Sequence, residues 1–270
     1  MKQHIVENIL PCVQMPAQYM GGEWNMVRKD HAHVRGKLCL AFPDTYSIGM
    51  SHHGLQVLYS LMNSLDEWVC ERAFTPWTDM ESELRQAKLP LYSLESFTPL
   101  AAFDVLGFSL QYEVCSTNVL TMLDLGRIPL NVNERTMVDP LVIGGGPCTQ
   151  NPEPLADFID VFITGDGEPS LPRVCQLWLK LKEECRETVG VAQGETGRKQ
   201  RTEMLARLAA TYPFCYVPRF YEPEYCDGRM SSLNRVRSDV PETIEPSVIT
   251  DLDEIPLPTR PVVPYVECVH

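Results

Sequence analysis

Asp139-Pro-Leu-Val-Ile-Gly-Gly-Gly-Pro-Cys148 and, after Asn151-Pro-Glu-Pro-Leu-Ala-Asp-Phe-Ile-Asp160, the run Val161-Phe-Ile-Thr-Gly-Asp-Gly-Glu-Pro-Ser170 decide the fold. Leu141-Val-Ile143 and Val161-Phe-Ile163 are short apolar runs with no helical period, which reads as two strands buried on both faces. Each run ends at glycine. Gly144-Gly-Gly146 and Gly165-Asp-Gly167 leave bare backbone at the carboxyl ends of those strands, where a ligand can lie directly against peptide groups. Either loop alone would be read as a tight strand-to-helix turn. Two of them, one helix-length apart on the shared edge of a parallel sheet, describe a crevice for an elongated, polar cofactor or nucleotide tail.

Outward from this stretch the same unit repeats. Lys37-Leu-Cys-Leu-Ala-Phe42 is a strand ended by Pro43, and from Gly54 the residues Leu55, Leu58, Leu61, Met62 and Leu65 fall on one helix face. Trp68 to Phe74 is a second strand, followed by an acidic helix start at Asp79 with Met80, Leu84 and Ala87 on its buried side. Asp104 to Ser109 is a third. Ser116 to Leu125 reads as a helix that Gly126 ends, and Ser170 opens another, with Leu171, Val174, Leu177, Trp178 and Leu181 at helical spacing. The alternation predicts a doubly wound α/β domain over residues 35–187. Its sheet would be Rossmann- or flavodoxin-like, five-stranded and parallel, in the order 2-1-3-4-5 with right-handed crossovers.

Residues 1–34 read as an extension that packs on a neighbour without a core of its own. Residues 188–270 read as a small α/β segment with a linker: a polar loop from Thr188 to Lys199, a short helix from Arg201 to Ala210, then extended pieces at Phe214 to Tyr221 and Met230 to Val236. A proline-spaced strap from Val240 to Val263 then leads towards another domain. The chain closes on the apolar, strand-like Val266-Glu-Cys-Val-His270, so the expectation is the front part of a longer protein.

A formal charge of -13 argues against a broad basic face tracking nucleic-acid phosphates, and no direct nucleic-acid binding is expected. Met1 to Leu10 has no signal-like apolar run, and no segment approaches a bilayer-spanning length, so a cytoplasmic protein without a membrane partner is expected. The cysteines are scattered and form no zinc-finger spacing and no three-cysteine cluster able to hold an iron-sulfur centre. Cys148 lies beside the glycine loop, yet no basic or histidine partner is near it in sequence, which argues against a nucleophile.

Three loop fragments carry a resemblance. Asp44-Thr-Tyr-Ser-Ile-Gly49 resembles the D-x-H-x-x-G loop of cobalamin-binding domains, with Tyr46 where that family has its lower cobalt-ligating histidine. Ser109-Leu-Gln111 is similar to the S-x-L of that family, and Gly144-Gly145 to its G-G. A closer match runs along essentially the whole chain: Phe42 to Ser51, Phe74 to Met80, Leu91 to Ser96, Asp104 to Glu113, Gly144 to Pro147, Asn151 to Pro154 and Gly165 to Glu168. They resemble the N-terminal domain of an uncharacterised bacterial family in which a cobalamin-binding-like domain precedes a radical S-adenosylmethionine barrel. Thr259 to Glu267 resembles the connection into that barrel. The resemblance implies a [4Fe-4S] cluster and S-adenosylmethionine for the downstream domain only, and makes that domain the expected partner.

From the resemblance, the candidate cofactor-binding residues are Asp44, Tyr46, Ser47, Gly49, Ser109, Gln111, Tyr112, Gly144, Gly145, Gly146, Pro147, Gly165, Asp166, Gly167 and Glu168. No catalytic residue and no metal ligand is assigned. A phenol with a pKa of roughly 10 is a poor ligand at neutral pH, so cobalamin, if bound, is expected without a lower histidine. His52 and His53 are expected at the helix start, facing solvent or the partner domain. Asp166 and Glu168 suit ribose hydroxyls or cap the following helix, and both readings stay open. Two functions follow. One is a cobalamin-holding accessory domain; the other is a degenerate domain, a non-binding interaction or substrate-presenting module. A free-standing nucleotide or flavin binder fits the unfinished carboxyl end less well.

Overall fold

The apolar runs become strands because both of their faces are covered. In the computed structural model, which describes residues 1–188, 190–255 and 258–263, β1 (Gly36–Phe42), β2 (Trp68–Phe74), β3 (Val105–Ser109), β4 (Leu141–Gly145) and β5 (Val161–Ile163) are parallel and almost wholly buried. They stand in the order β2-β1-β3-β4-β5. The register matches Phe42 to Phe74 and Ser109 to Gly145, which brings the glycine and serine strand ends to one edge. Helix α1 (His53–Ser64) follows β1, α2 (Thr78–Gln86) follows β2, α3 (Ser116–Leu125) follows β3 and α4 (Gly167–Thr188) follows β5. Leu55 and Met62 of α1 and Val174 and Trp178 of α4 are fully buried at helical spacing. Helices α1 and α4 pack on each other.

The five-strand count is corrected by a sixth strand, β6 (Cys215–Tyr216), which joins β5 antiparallel. Two residues ended by Pro218 are too few to show a period, so only burial marks them as a strand. The sheet is thus mostly parallel. Helix α5 (Gly194–Thr211) also starts inside the stretch expected to be a loop. Its Gly197 is a packing requirement, since a Cβ there would stand 2.3 Å from the Ala192 carbonyl oxygen. The later extended pieces form a hairpin, β7 (Tyr221–Cys226) and β8 (Arg229–Arg235), turned by Asp227-Gly228 with both residues at positive φ. Asp-Gly between extended runs is a hairpin signal that the sequence does carry.

Two buried arginines and a half-buried third surround one carboxylate where the C-terminal segment meets the sheet. Asp160, just before β5, accepts from Arg135 at 2.9 Å and from Arg201 of α5 at 2.8 Å, and Arg219 lies 3.9 Å away. Burial alone would raise the Asp160 carboxyl, but the guanidiniums of Arg201 and Arg135 outweigh it and hold the group at about 2. The N-terminal extension packs too: Ile5, Ile9, Leu10 and Tyr19 are buried, and Tyr19 Oη accepts from the Trp77 amide. Among the described residues no helix is long and apolar enough to cross a membrane. Val266 to His270, and Thr259 to Glu267 beyond Val263, lie outside the described residues.

Candidate functional site

The carboxyl edge of the sheet opens into a cavity of about 210 Å³. Its floor is Leu40, Gly107, Phe108 and Ile143 of the strands; one wall is the start of α1, and the other is the Gly165 loop with the start of α4. Gly107 adds no side chain to that floor, and a Cβ there would rest in ordinary contact on Leu40, 3.5 Å away. Of the candidate residues, Ser109, Gln111, Gly145, Gly146, Gly165, Asp166, Gly167 and Glu168 line this cavity together. The lining holds no lysine or arginine, and its acidic groups are Asp166 and Glu168.

The glycines of the first loop do different work. Gly144 is inside the sheet, where a Cβ would stand 2.9 Å from Leu110 and Phe162. Gly145 has open space where its Cβ would be, on the cavity side. Gly146 has φ +101 and would press a Cβ against the Leu110 carbonyl at 2.7 Å, so the turn itself demands glycine there. Gln111 Nε2 donates to Ser109 Oγ at 2.9 Å, which leaves the Ser109 proton and the Gln111 carbonyl for a ligand.

Gly165 has a different reason for being bare. A segment of the strap lies on it: the Asp166 amide donates to the Ser247 carbonyl at 2.8 Å, and the Ser247 amide to Thr164 at 2.9 Å. A Cβ on Gly165 would be 2.0 Å from the Ser247 oxygen. Asp166 then accepts from the Ile249 amide at 2.7 Å, so its carboxylate fastens the strap.

The remaining candidates lie outside the cavity lining. Asp44 accepts from Tyr112 Oη at 2.5 Å and from the Thr45 amide at 2.6 Å, which raises the Tyr112 phenol. Tyr46 donates to Glu23 of the extension at 3.2 Å and stands edge-on to Phe74, 5.4 Å between centroids. Burial first, and then the Glu23 charge, push its phenol up to about 12. Gly49 is packed so that a Cβ would meet Phe74 at 2.3 Å. Ser47 accepts from Gln18 at 3.0 Å, and exposed Pro147 opens a short 3-10 turn. His52, expected to face solvent or the partner, caps α1 by accepting from the Leu55 amide at 3.1 Å and lines the cavity beside Phe42. His52 in front of an apolar helical run was the available signal for this, and a glycine inside Val105-Leu-Gly107-Phe was the signal for the floor.

Among the described residues, the hydrogen-bond partner of the Ser109 hydroxyl is the Gln111 carboxamide, which is not a base. Cys148 is absent from the lining, and burial raises its thiol. Among the described residues no group of His, Cys, Asp and Glu could hold a metal ion. Bare strand ends, a serine, a carboxamide and a helix start thus surround a small apolar floor.

Fold and site together define a doubly wound α/β domain with a small crevice at its carboxyl edge. A family model described as "Radical SAM proteins, N-terminal" matches residues 54–218, more than half of the chain, and the chain belongs to that family. An uncharacterized protein of Methanocaldococcus jannaschii is 33% identical over 91 residues, which are 33% of this chain and 19% of that protein. The match therefore spans about a fifth of that relative's length. No solved structure matches the chain.

Proposed function

We propose that this chain is the accessory, ligand-holding domain of a radical S-adenosylmethionine protein, and that its crevice receives the tail of an elongated cofactor, cobalamin being the one the resemblance implies. The observation that carries this reading is Gly145, whose missing side chain opens directly onto the crevice between Ser109 and Gly146. A cavity of about 210 Å³ lies below the size of pockets that enclose whole drug-sized ligands, roughly 300–1,000 Å³, so it suits one end of a larger molecule. The acidic lining favours an uncharged, hydroxyl-rich or cationic end over a bare phosphate. Ser109, Gly145, Gly146 and Glu168 would hold it. Cobalamin, when bound, supplies an alkylatable cobalt. The fit stops short of the metal: Tyr46 is engaged with Glu23, and its raised phenol offers no ligand from below. Partner, iron-sulfur cluster and S-adenosylmethionine belong in this reading to the catalytic domain that the family name implies, and nucleic acid is not a partner of this acidic domain.

Hydroxocobalamin at a hundred times its dissociation constant adds about 2.7 kcal/mol of stability, which raises the melting midpoint by roughly 5–11 °C for a unit of this size. Gly145→Leu should abolish the shift while leaving the circular dichroism unchanged, since the new side chain points into open space. Tyr46→Phe should leave the shift in place. The second reading, a non-binding module packed on its partner domain, is favoured by the Tyr46–Glu23 contact and by the strap on Gly165. An unshifted midpoint and a colourless dialysed protein would decide for it.

A further inference from the structure

The strap is fastened at both ends, and its first fastening uses two residues of the crevice wall. At one end Ser247 bridges Gly165 in parallel fashion and Ile249 donates to Asp166. At the other, Asn25 donates through its amide to the Val262 carbonyl at 3.3 Å and through Nδ2 to the Pro261 carbonyl at 2.8 Å, with Val262 buried at 4% exposure. The second anchor sits against Gln56, Tyr59 and Ser60 of α1, the helix whose first turns form the opposite wall of the crevice. The strap is therefore tied to the Gly165 wall and, through Asn25, to the N-terminal extension where that extension meets α1.

Its hold is of a displaceable kind. Glu245 and Ser247 are attached by backbone hydrogen bonds to Pro213 and Thr164, and the Ile249 amide donates to the Asp166 carboxylate, while Glu245 and Val248 remain exposed, Val248 at 65%. At Glu245 to Ile249 strand addition of this sort contributes main-chain bonds and little buried apolar area, which places that part at the low-stability end of a fold. A ligand end that engages the Asp166 carboxylate or the Gly165 peptide competes with Ile249 and Ser247 for the same groups.

We infer that residues 245–249 and 261–262 form the two points of a latch whose release is linked to occupancy of the crevice, so that binding at Asp166 is felt at Pro261 and Val262. This rests on the reading of the crevice as a ligand site, and it predicts mutual exclusion: ligand bound at Asp166 lowers strap protection, and a strap held shut lowers affinity.

Amide hydrogen exchange on the whole chain tests it. Ser247→Pro removes the donor to Thr164 and alters no side chain of the crevice lining, although Ser247 itself lies against Gly165 and Asp166. In the variant the Asp166 and Ile249 amides should exchange about tenfold faster, and so should the Asn25 amide at the far anchor, with unchanged circular dichroism. An Asn25 amide indifferent to Ser247→Pro would overturn the latch, whatever the crevice binds. In the wild-type chain, hydroxocobalamin should speed exchange at Ile249 and Asn25, and Ser247→Pro should bind it several-fold more tightly. Binding that leaves both amides and the affinity unchanged overturns the linkage. Absence of binding to either protein removes the cofactor reading alone, and the latch is then decided by Asn25 in the ligand-free variant.

Discussion

Gly144, Gly145 and Gly146 are consecutive in the sequence and unlike one another in the fold, and the difference can be measured. Gly145 sits in β4 with open space at its Cβ position, and glycine in a strand is worse than alanine by roughly 0.5–1 kcal/mol, so Gly145→Ala should be neutral or stabilising in urea unfolding. Gly146→Ala forces a side chain into φ +101 and onto the Leu110 carbonyl, and should cost about 1–3 kcal/mol. Equal effects at the two positions would show that the turn, and not the crevice, explains both. Tyr46 makes the same point from the other side. Its position in a cofactor-loop pattern is legible, but its bond to Glu23 joins residues far apart in the chain and cannot be read locally. Tyr46→Phe should cost roughly 1 kcal/mol through loss of that hydrogen bond.

Among the elements, the strands and the helices α1 to α4 were legible because each is a local pattern: an apolar run, a proline, serine or glycine near its end, then a period near four. The elements that were misread are those fixed from a distance. Helix α5 is held by Arg201, whose partner Asp160 lies 41 residues away, and Arg135 reaches the same carboxylate across 25 residues. Nothing local distinguishes these arginines from solvated ones. Asp160→Asn would leave buried guanidiniums without their counter-charge, at a cost of about 3–5 kcal/mol in thermal or urea unfolding. The pH dependence has a definite sign. The folded carboxyl is depressed to about 2, so its contribution is complete above the ordinary carboxylate range and is lost as pH falls from about 4 towards 2. Wild type and Asp160→Asn should thus converge in stability over that window and stay apart at pH 7; parallel curves throughout would contradict the assignment.

For the whole molecule, alternation and chirality narrow the parallel strands to a few doubly wound orders, and in the one found the glycine and serine strand ends share one edge. What the extension contributes is not narrowed in this way. Residues 1–34 look like an appendage, yet Ile5, Ile9, Leu10 and Tyr19 are in the core and Glu23 faces the buried Arg72. Each such apolar side chain contributes roughly 1.5–3 kcal/mol, so a chain starting at Arg35 should lose more than about 5 kcal/mol and melt at least about 10 °C lower, or fail to stay soluble. A truncated chain melting within about 2 °C of the full one would return the extension to the status of an appendage. The crevice was half legible: glycine, serine and acidic positions announced it, while the strap that shares Gly165 and Asp166 comes from 80 residues further on, Ile249 being 83 positions beyond its partner.

The central sheet has a protected border on either side. Along β2, the Leu94 amide donates to the Arg72 carbonyl and Glu95 accepts from the Arg72 amide, and beyond β5 lies a strand of only two residues, stopped by Pro218. Two copies of this chain meeting at high concentration therefore find no long row of vacant peptide groups on that sheet to zip together, which guards against fibrous self-assembly during crowded synthesis. Any lasting association has to be made through side chains on loops and helices, where charge and shape can discriminate one partner from another.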